Sequence, residues 1–313
     1  MKHIFIVNPT AGKGKASKKI IPEIEQYFNA HSEISGEIYI TKSCGDGMQY
    51  VEEISKKGEK VRFYACGGDG TLFEVVNGSY KYENTEVASI PLGSGNDFTR
   101  IMGKASDLVN IDAQVNGTPI KLDLIECDGK VAINQCSMGL DAEICAKQAY
   151  FKKFPFVGGE MSYGLSVAYC FFEKMDNFFT VFIDGEKVVD GLTLFALCGN
   201  SRWYGGGYKG APLALPDDGF LDFVIVEKKC SRAKLLGLID IYKKGEHLDL
   251  PITTFKRGKE MRIVSKKLSA VNVDGECKYV TESIFKILPS AVNFVIPTTS
   301  DYLKRRDKEK QTV

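Results

Sequence analysis

The 313-residue chain is 44% hydrophobic and 26% charged, a balance that excludes a disordered or fibrous protein and allows two domains. Its 41 basic and 40 acidic residues nearly cancel, so no global charge draws it to nucleic acid or to an anionic bilayer, and any membrane contact has to be local. Nine cysteines are scattered without a C-x-x-C pair, which reads as reduced, mostly buried thiols in a cytoplasmic protein rather than a disulfide or zinc framework.

The opening “MKHIFIVNPT” lacks the apolar core and cleavage site of a signal peptide, and no later run approaches the roughly 20 apolar residues of a membrane span. Up to about residue 120 the pattern alternates. The run “HIFIV” ends at Asn8-Pro9, and a helix-period stretch follows with Ile20, Ile21, Ile24, Tyr27 and Phe28 on one face, weakened or kinked early by Pro22. “EIYIT” is the next strand, Met48, Val51 and Ile54 mark a helix, and “VRFYA” leads into “CGGDGT” and a helix carrying Leu72, Val75 and Val76. “VASIPL” completes a series of strand–helix units that implies a parallel sheet covered by helices, with ligands beyond the carboxyl ends of its strands.

After about residue 120 the pattern changes to short strands parted by Gly, Asp or Lys turns: “IKLDLIEC”, “KVAINQC”, “FFTVFID”, “LTLFALC”, “FLDFVIV”, “EMRIVS”, “AVNVDG” and “SIFKIL”. Helical patterns near 160–174 and 231–243 interrupt them, so an antiparallel sandwich or barrel is expected. A last strand, “VNFVIP”, precedes the charged tail “KRRDKEK”, which is expected to fray.

Three loops fall where an α/β sheet binds ligands. “NPTAGKGK” fails the P-loop pattern, yet it offers small residues with Lys13 and Lys15 at a strand-to-helix junction; the alternative is a solvated turn. In Gly67-Gly68-Asp69-Gly70-Thr71 the glycines admit an anion near a helix N-terminus. Asp69 would repel phosphate there unless a divalent cation intervened; alternatively it is the helix N-cap. Gly93-Ser94-Gly95-Asn96-Asp97 repeats the strand, glycine turn and polar residues. Three such loops at consecutive strand ends point to a nucleotide.

In the second half, “LPDDGFLD” is turn chemistry and also acidic, while “VDGE” places Asp274 and Glu276 two residues apart around Gly275. Phosphoryl transfer to a hydroxyl needs a carboxylate to take or orient its proton; a polar hairpin turn is the competing reading. Trp203, Tyr204 and Tyr208 beside three glycines suit a slot for an acyl chain or headgroup, or a loop packed over the sheet. “AYFKKFPFVGG” (149–159) mixes aromatic and basic residues as an interfacial segment does, and equally as core packing does.

“NPTAGKGK”, “GGDGTLFEVVNG” and “PLGSGNDFTR” together resemble the diacylglycerol kinase catalytic family, specifically its soluble bacterial lipid kinases, and the likeness runs from Asn8 to Pro297. GGDGT alone is shared with NAD kinases. “INQCSMGLDAE”, “GNSRWYGGGYKGAPLALPDDGFLD” and “VDGE” look like the lipid-kinase branch. The resemblance implies an α/β N-terminal domain with a parallel sheet over 1–120, rejoined by 297–305, and a C-terminal antiparallel β-sandwich over 121–296. It implies ATP and Mg²⁺ as cofactors. Asn8, Pro9, Thr10, Ala11, Gly12, Thr41, Gly68, Asp69, Gly70, Thr71, Leu72, Phe73, Glu74 and Ser94 match nucleotide-contacting positions, with Asp69 toward magnesium and Phe73 standing where many relatives carry Asn. A structural magnesium is implied at the Asp218 carboxylate and the main-chain oxygens of Leu215 and Phe220. Glu276 is the favoured base, with Asp274 as its partner or a metal contact. The expected reaction phosphorylates diacylglycerol to phosphatidate from the cytoplasmic face of a membrane, touched transiently. The rivals are a kinase of a sphingoid base, a polyprenol or NAD, and a lipid-binding regulator without turnover. A free sheet edge would allow a homodimer.

Overall fold

The computed structural model describes residues 1–151, 165–167, 169–170, 177–229 and 231–310. The chain divides into two compact units, one formed by Met1–Leu124 with Pro289–Val313 and the other by Ile125–Leu288.

The first unit alternates strand and helix as the hydrophobic periods require. It comprises β1 (Lys2–Val7), α1 (Lys15–Ala30), β2 (Gly36–Ile40), α2 (Asp46–Ser55), β3 (Val61–Gly67), α3 (Asp69–Ser79) and β4 (Thr85–Pro91), then the short helices α4 (Ala105–Leu108) and α5 (Ile111–Val115) and the start of β5 (Thr118–Cys127). β1 pairs in parallel with β2 on one side and β3 on the other, and β3 pairs in parallel with β4. Both faces of this sheet are covered, which is why its strands read as unbroken apolar runs rather than as alternations. Phe5, Val7, Tyr64, Cys66, Ala88 and Ile90 pack against Ile20 and Ile24 of α1 and Ile111 of α5, while Ile4, Ile6, Phe63 and Ala65 are buried on the opposite face. Pro22 lies inside α1 without ending it.

The second unit is an antiparallel β-sandwich. Its elements are β6 (Lys130–Ala132), β7 (Gln135–Gly139), α6 (Leu140–Phe151), β8 (Asn177–Ile183), β9 (Glu186–Gly199), β10 (Leu221–Glu227), α7 (Arg232–Lys244), β11 (Thr253–Gly258), β12 (Glu260–Val273) and most of β13 (Glu276–Ile296). β9 and β12 are long enough to change partners along their length. The first part of each pairs with β8 and the later part with β7. The expected strands “EMRIVS” and “AVNVDG” are thus one strand, as are “SIFKIL” and “VNFVIP”. α7 covers one face, where Leu235 joins Leu194, Phe195, Leu197, Val224 and Val226.

Two expectations need correction, and two fall on other ground. The tail expected to fray is a helix, α8 (Tyr302–Lys310), because Tyr302 is buried and Arg305 bonds both Asp301 (2.8 Å) and the carbonyl oxygen of Ile101 (2.9 Å). The stretch read as one strand, “KVAINQC”, is two, β6 and β7, and an unexpected helix, α6, follows. The helix expected near 160–174 and the 149–159 segment lie for the most part outside the described residues. No helix among the described residues is long and apolar enough to cross a membrane.

Burial pushes the His3 imidazole down to about 4, helped by Arg62 and the N-terminal ammonium, and its Nδ1 lies 2.6 Å from the Tyr64 hydroxyl. Between pH 6.5 and 4 the unfolded chain therefore binds a proton that the native His3 refuses, so stability falls as pH falls through that window. His247 shifts in the same sense; buried Asp222, raised to about 6, shifts in the opposite one. A comparison of H3Q with wild type isolates the first of these. In urea unfolding at pH 7 and pH 4.5, H3Q is expected to lose about 2 kcal/mol less than wild type on acidification.

Candidate functional site

In the first unit, chain order runs from β1 to β2 and then back across β1 to β3, so the topology reverses between β1 and β3. In open α/β sheets the crevice at such a point takes the ligand. The three sequence-expected loops lie at the carboxyl ends of β1, β3 and β4, and Thr41 follows β2, with its N–H on the carbonyl of Val7 (3.0 Å).

Asn8 turns the chain out of β1. Its Oδ1 accepts from the Thr10 N–H (2.9 Å) and hydroxyl (2.8 Å), and its Nδ2 reaches the Thr71 hydroxyl (3.3 Å), linking the first loop to the second. Gly12, Lys13 and Gly14 follow in left-handed conformation, so the path demands little side chain at two of these three positions. Ala11 is buried, and the Ser17 hydroxyl bonds the Pro9 carbonyl (3.1 Å).

The second and third loops are bound to each other. Asp69 Oδ2 accepts the Asn96 N–H and Oδ1 accepts the Asp97 N–H, both at 2.8 Å. Gly68, and not Asp69, is the N-cap residue of α3. A Cβ on Gly68 would stand 3.2 Å from the Gly93 Cα, and one on Gly95 would stand 2.7 Å from Asp69 Oδ2. Gly70, by contrast, has nothing within 4 Å of its Cβ position. It opens the first turn of α3, where the Thr71 and Leu72 N–H groups bond the Gly68 carbonyl (3.0 and 3.1 Å) and those of Asp69 and Gly70 have no helical acceptor. Each Asp69 oxygen keeps a second lone-pair site after its amide bond. The donor set thus suits a polyphosphate with an oxygen-bound cation. Among the described residues no group of three or more His, Cys, Asp or Glu side chains forms a metal cluster.

The neighbouring expected residues divide by burial. Thr71, Leu72 and Phe73 are buried in α3, so Phe73 packs rather than presents a polar group. Glu74 Oε1 accepts the Gly45 N–H at 2.8 Å and ties α3 to the turn before α2. Ser94 is exposed in the third loop.

In the second unit the “VDGE” turn separates its two acids. Asp274 has a left-handed backbone (φ 47°), and its carboxylate accepts three main-chain N–H groups, from Ile133 (2.7 Å), Asn134 (3.1 Å) and Gln135 (2.8 Å). Glu276 is half-exposed, with the Lys130 ammonium 3.9 Å from its Oε2. Asp274 is thus built into the β6–β7 connection, and Glu276 presents its carboxylate to solvent. The three amide donors carry no sequence signal, and the type of residue at 133–135 would not have disclosed them.

Asp218 Oδ1 accepts the Phe220 N–H (3.0 Å), closing the turn, and Oδ2 pairs with Arg257. The same guanidinium bonds Asp222 (2.9 Å), whose buried carboxyl is raised to about 6 by desolvation against the pull of Arg257. A magnesium on Asp218 and the main-chain oxygens of Leu215 and Phe220 would have to compete with this guanidinium. Leu215 is buried and Phe220 exposed. Asp141, missed in sequence, opens α6; burial raises its carboxyl to about 6, and its Oδ1 accepts the Ala142 N–H (2.9 Å).

Residues 2–127 match the model of the diacylglycerol kinase catalytic domain, and residues 134–296 match that of the YegS C-terminal NAD kinase beta sandwich-like domain. The chain is 30% identical over 278 residues to a diacylglycerol kinase of Staphylococcus carnosus strain TM300, covering 87% of each chain. It is 29% identical to one of Staphylococcus aureus strain MRSA252, over 87% of this chain and 85% of that one. In fold it is similar to a crystal structure of a Bacillus anthracis diacylglycerol kinase (TM-score 0.66, 21% identity, 95% and 97% covered). It is also similar to yeast NADH kinase complexed with NADH (TM-score 0.54, 12% identity, 100% and 88% covered).

The two acids of the turn are expected to part in a stability measurement. D274A leaves three main-chain N–H groups without their acceptor and should cost about 3 kcal/mol in urea unfolding. E276A, at an exposed position, should stay within about 0.5 kcal/mol of wild type.

Proposed function

The chain belongs to the diacylglycerol kinase catalytic domain family, and we propose from that premise that it transfers the γ-phosphoryl group of ATP to a lipid hydroxyl, that of diacylglycerol, giving phosphatidate. Membership places it among the kinases that share this fold with NAD kinases; the lipid acceptor and the residue roles are our reading.

The observation that carries the reading is the division of labour in the “VDGE” turn. A general base needs a carboxylate that a substrate hydroxyl can reach, held in place by something else. Asp274 spends both oxygens on main-chain N–H groups and so fixes the turn. Glu276, half-exposed beside it, takes the proton from the acceptor hydroxyl at its carboxylate. In the first unit, the N–H groups of Gly68 to Gly70 and the Asn8–Gly12 turn would hold phosphate oxygens, and Asp69 would face the magnesium while keeping the two glycine loops together. ATP with its magnesium supplies the electrophilic phosphorus and part of the charge neutralisation. Phosphoryl transfer depends mainly on positioning and electrostatics, so the residues that hold loops matter as much as the base. The acceptor being a membrane lipid, the protein would work at a bilayer surface, from the cytoplasmic side, without spanning it.

The test is a panel of acceptors with radiolabelled ATP in mixed micelles: diacylglycerol, a sphingoid base, a polyprenol and soluble NAD. Diacylglycerol should be the best acceptor. E276A should reduce kcat by on the order of 10²–10⁴ with little change in the KM for ATP, and D69A by at least about 10². Soluble NAD as the best acceptor would overturn the lipid reading, and no transfer to any acceptor would leave a lipid-binding regulator.

A further inference from the structure

Beside Glu276 stand two cysteines that the proposed chemistry does not use. Cys145 belongs to α6 and Cys277 to β13, 132 positions apart in number, yet both sulfurs approach one atom, the carbonyl oxygen of Gly275, at 3.6 Å and 3.9 Å. Cys277 Sγ also lies 3.8 Å from the carbonyl oxygen of Ala142, one turn before Cys145 on the same helix. The geometry points to a dithiol site: we propose that Cys145 and Cys277 are a modification site that closes to a disulfide in exchange with a low-molecular-weight disulfide, and that the bond pins the turn holding Glu276.

Selection among the described cysteines follows from exposure. Cys66, Cys127, Cys136, Cys170 and Cys198 are buried, and Cys44 is exposed in the other unit. Cys136 and Cys198 face each other across β7 and β9, but both are fully buried, out of reach of an oxidant in solution. Cys145 and Cys277 are both partly exposed and in contact. The Cys277 thiol is pushed well up, first by its hydrogen bond with Cys145, then by burial and by the charges of Asp141 and Glu276. The two thiols share this hydrogen bond, so whichever opens the exchange, the other stands ready to resolve the mixed disulfide.

The exchange balances without a bound cofactor. With Cys145 opening, its thiolate attacks one sulfur of the small disulfide, whose other half leaves as a thiolate. Cys277 then gives up its proton and attacks the Cys145 sulfur, releasing the second half as a thiol. Two protein thiols are oxidised to one disulfide and one small disulfide is reduced to two thiols. The new bond joins α6 to β13 beside Gly275, whose left-handed backbone (φ 102°) leads the chain into β13, and Glu276 is the next residue. A base held by that turn loses the freedom to adjust to the acceptor hydroxyl. This consequence for activity rests on the role given to Glu276 above; the site itself does not.

The experiment treats the whole protein with oxidised glutathione and maps peptides without reduction. The expected result is one cross-linked peptide pair, Cys145–Cys277, with two of the nine thiols lost and recovered on adding dithiothreitol. C145S and C277S should each form no such pair. Transfer to the best acceptor should fall several-fold in oxidised wild type, chiefly in kcat, and stay unchanged in oxidised C145S. Mixed glutathione disulfides alone, a different cysteine pair, or equal loss of activity in C145S would overturn the proposal. If wild type transfers phosphate to no acceptor, the kinase reading fails, and the peptide map still decides the dithiol site.

Discussion

The Asp69 carboxylate lies between two glycine turns, one oxygen on the N–H of Asn96 and the other on that of Asp97. A carboxylate at a partly buried position is tolerated only when donors replace its water, and main-chain amides at turns are donors that no substitution other than proline removes. The chain uses this constraint repeatedly. Asp46 holds the Lys42 N–H, Asp123 holds that of Ser290, Asp184 holds those of Lys259 and Glu260, and Asp274 holds those of Ile133, Asn134 and Gln135. Each joins a loop to a segment distant in sequence or closes a turn. The strands supply direction, and these acids fix where the chain between them lies.

Where amides do not suffice, a guanidinium replaces them. Asp222 is almost fully buried in β10, and a lone carboxylate there would shed its charge. Arg257 on the neighbouring β11 is its register partner and bonds it, and the same guanidinium reaches Asp218 in the turn before β10. One cation thereby couples a strand to its preceding turn. The cost of removing Arg257 would fall on two acids at once, since a buried ion pair broken from one side leaves the other charge uncompensated.

The alternation of the first unit was legible because a parallel sheet buried on both faces writes continuous apolar runs, and each helix between them writes its own period. The second unit was legible as a class but not in its strand boundaries. β13 contains Pro289 and a left-handed Ser290, both ordinary signals for a break, yet the strand continues because Asp123 takes the Ser290 N–H and the chain resumes pairing beyond it, with Phe294 beside Val87. Periodicity describes residues against water; it does not report a single carboxylate that takes the N–H of a left-handed residue. The terminal helix was missed for a related reason. Its sequence is almost all charge, and the one apolar residue that anchors it, Tyr302, carries no period by itself. In the site, the acids were legible as acids. Which of Asp274 and Glu276 is structural depends on three amides contributed from residues 133–135, and amides are the same under every side chain.

The glycines of the GGDGT stretch illustrate the limit more closely. In sequence they are equivalent, each a place where backbone can approach an anion. In the fold they differ in what already occupies the space a side chain would need. Gly67 has the Thr71 side chain there, Gly68 has Gly93, and Gly93 has Gly68 and Asn96 in return, so these positions are bare because protein fills them. Only Gly70 of the stretch looks onto open space, at the start of a helix where its own N–H has no helical acceptor. The negative charge among the glycines has the same double origin. Asp69 is needed to hold the third loop against the second, and its remaining lone pairs are what a cation between it and phosphate would use. A motif that reads as one phosphate-binding feature is thus a joint between two loops, with a single glycine of it left beside open space.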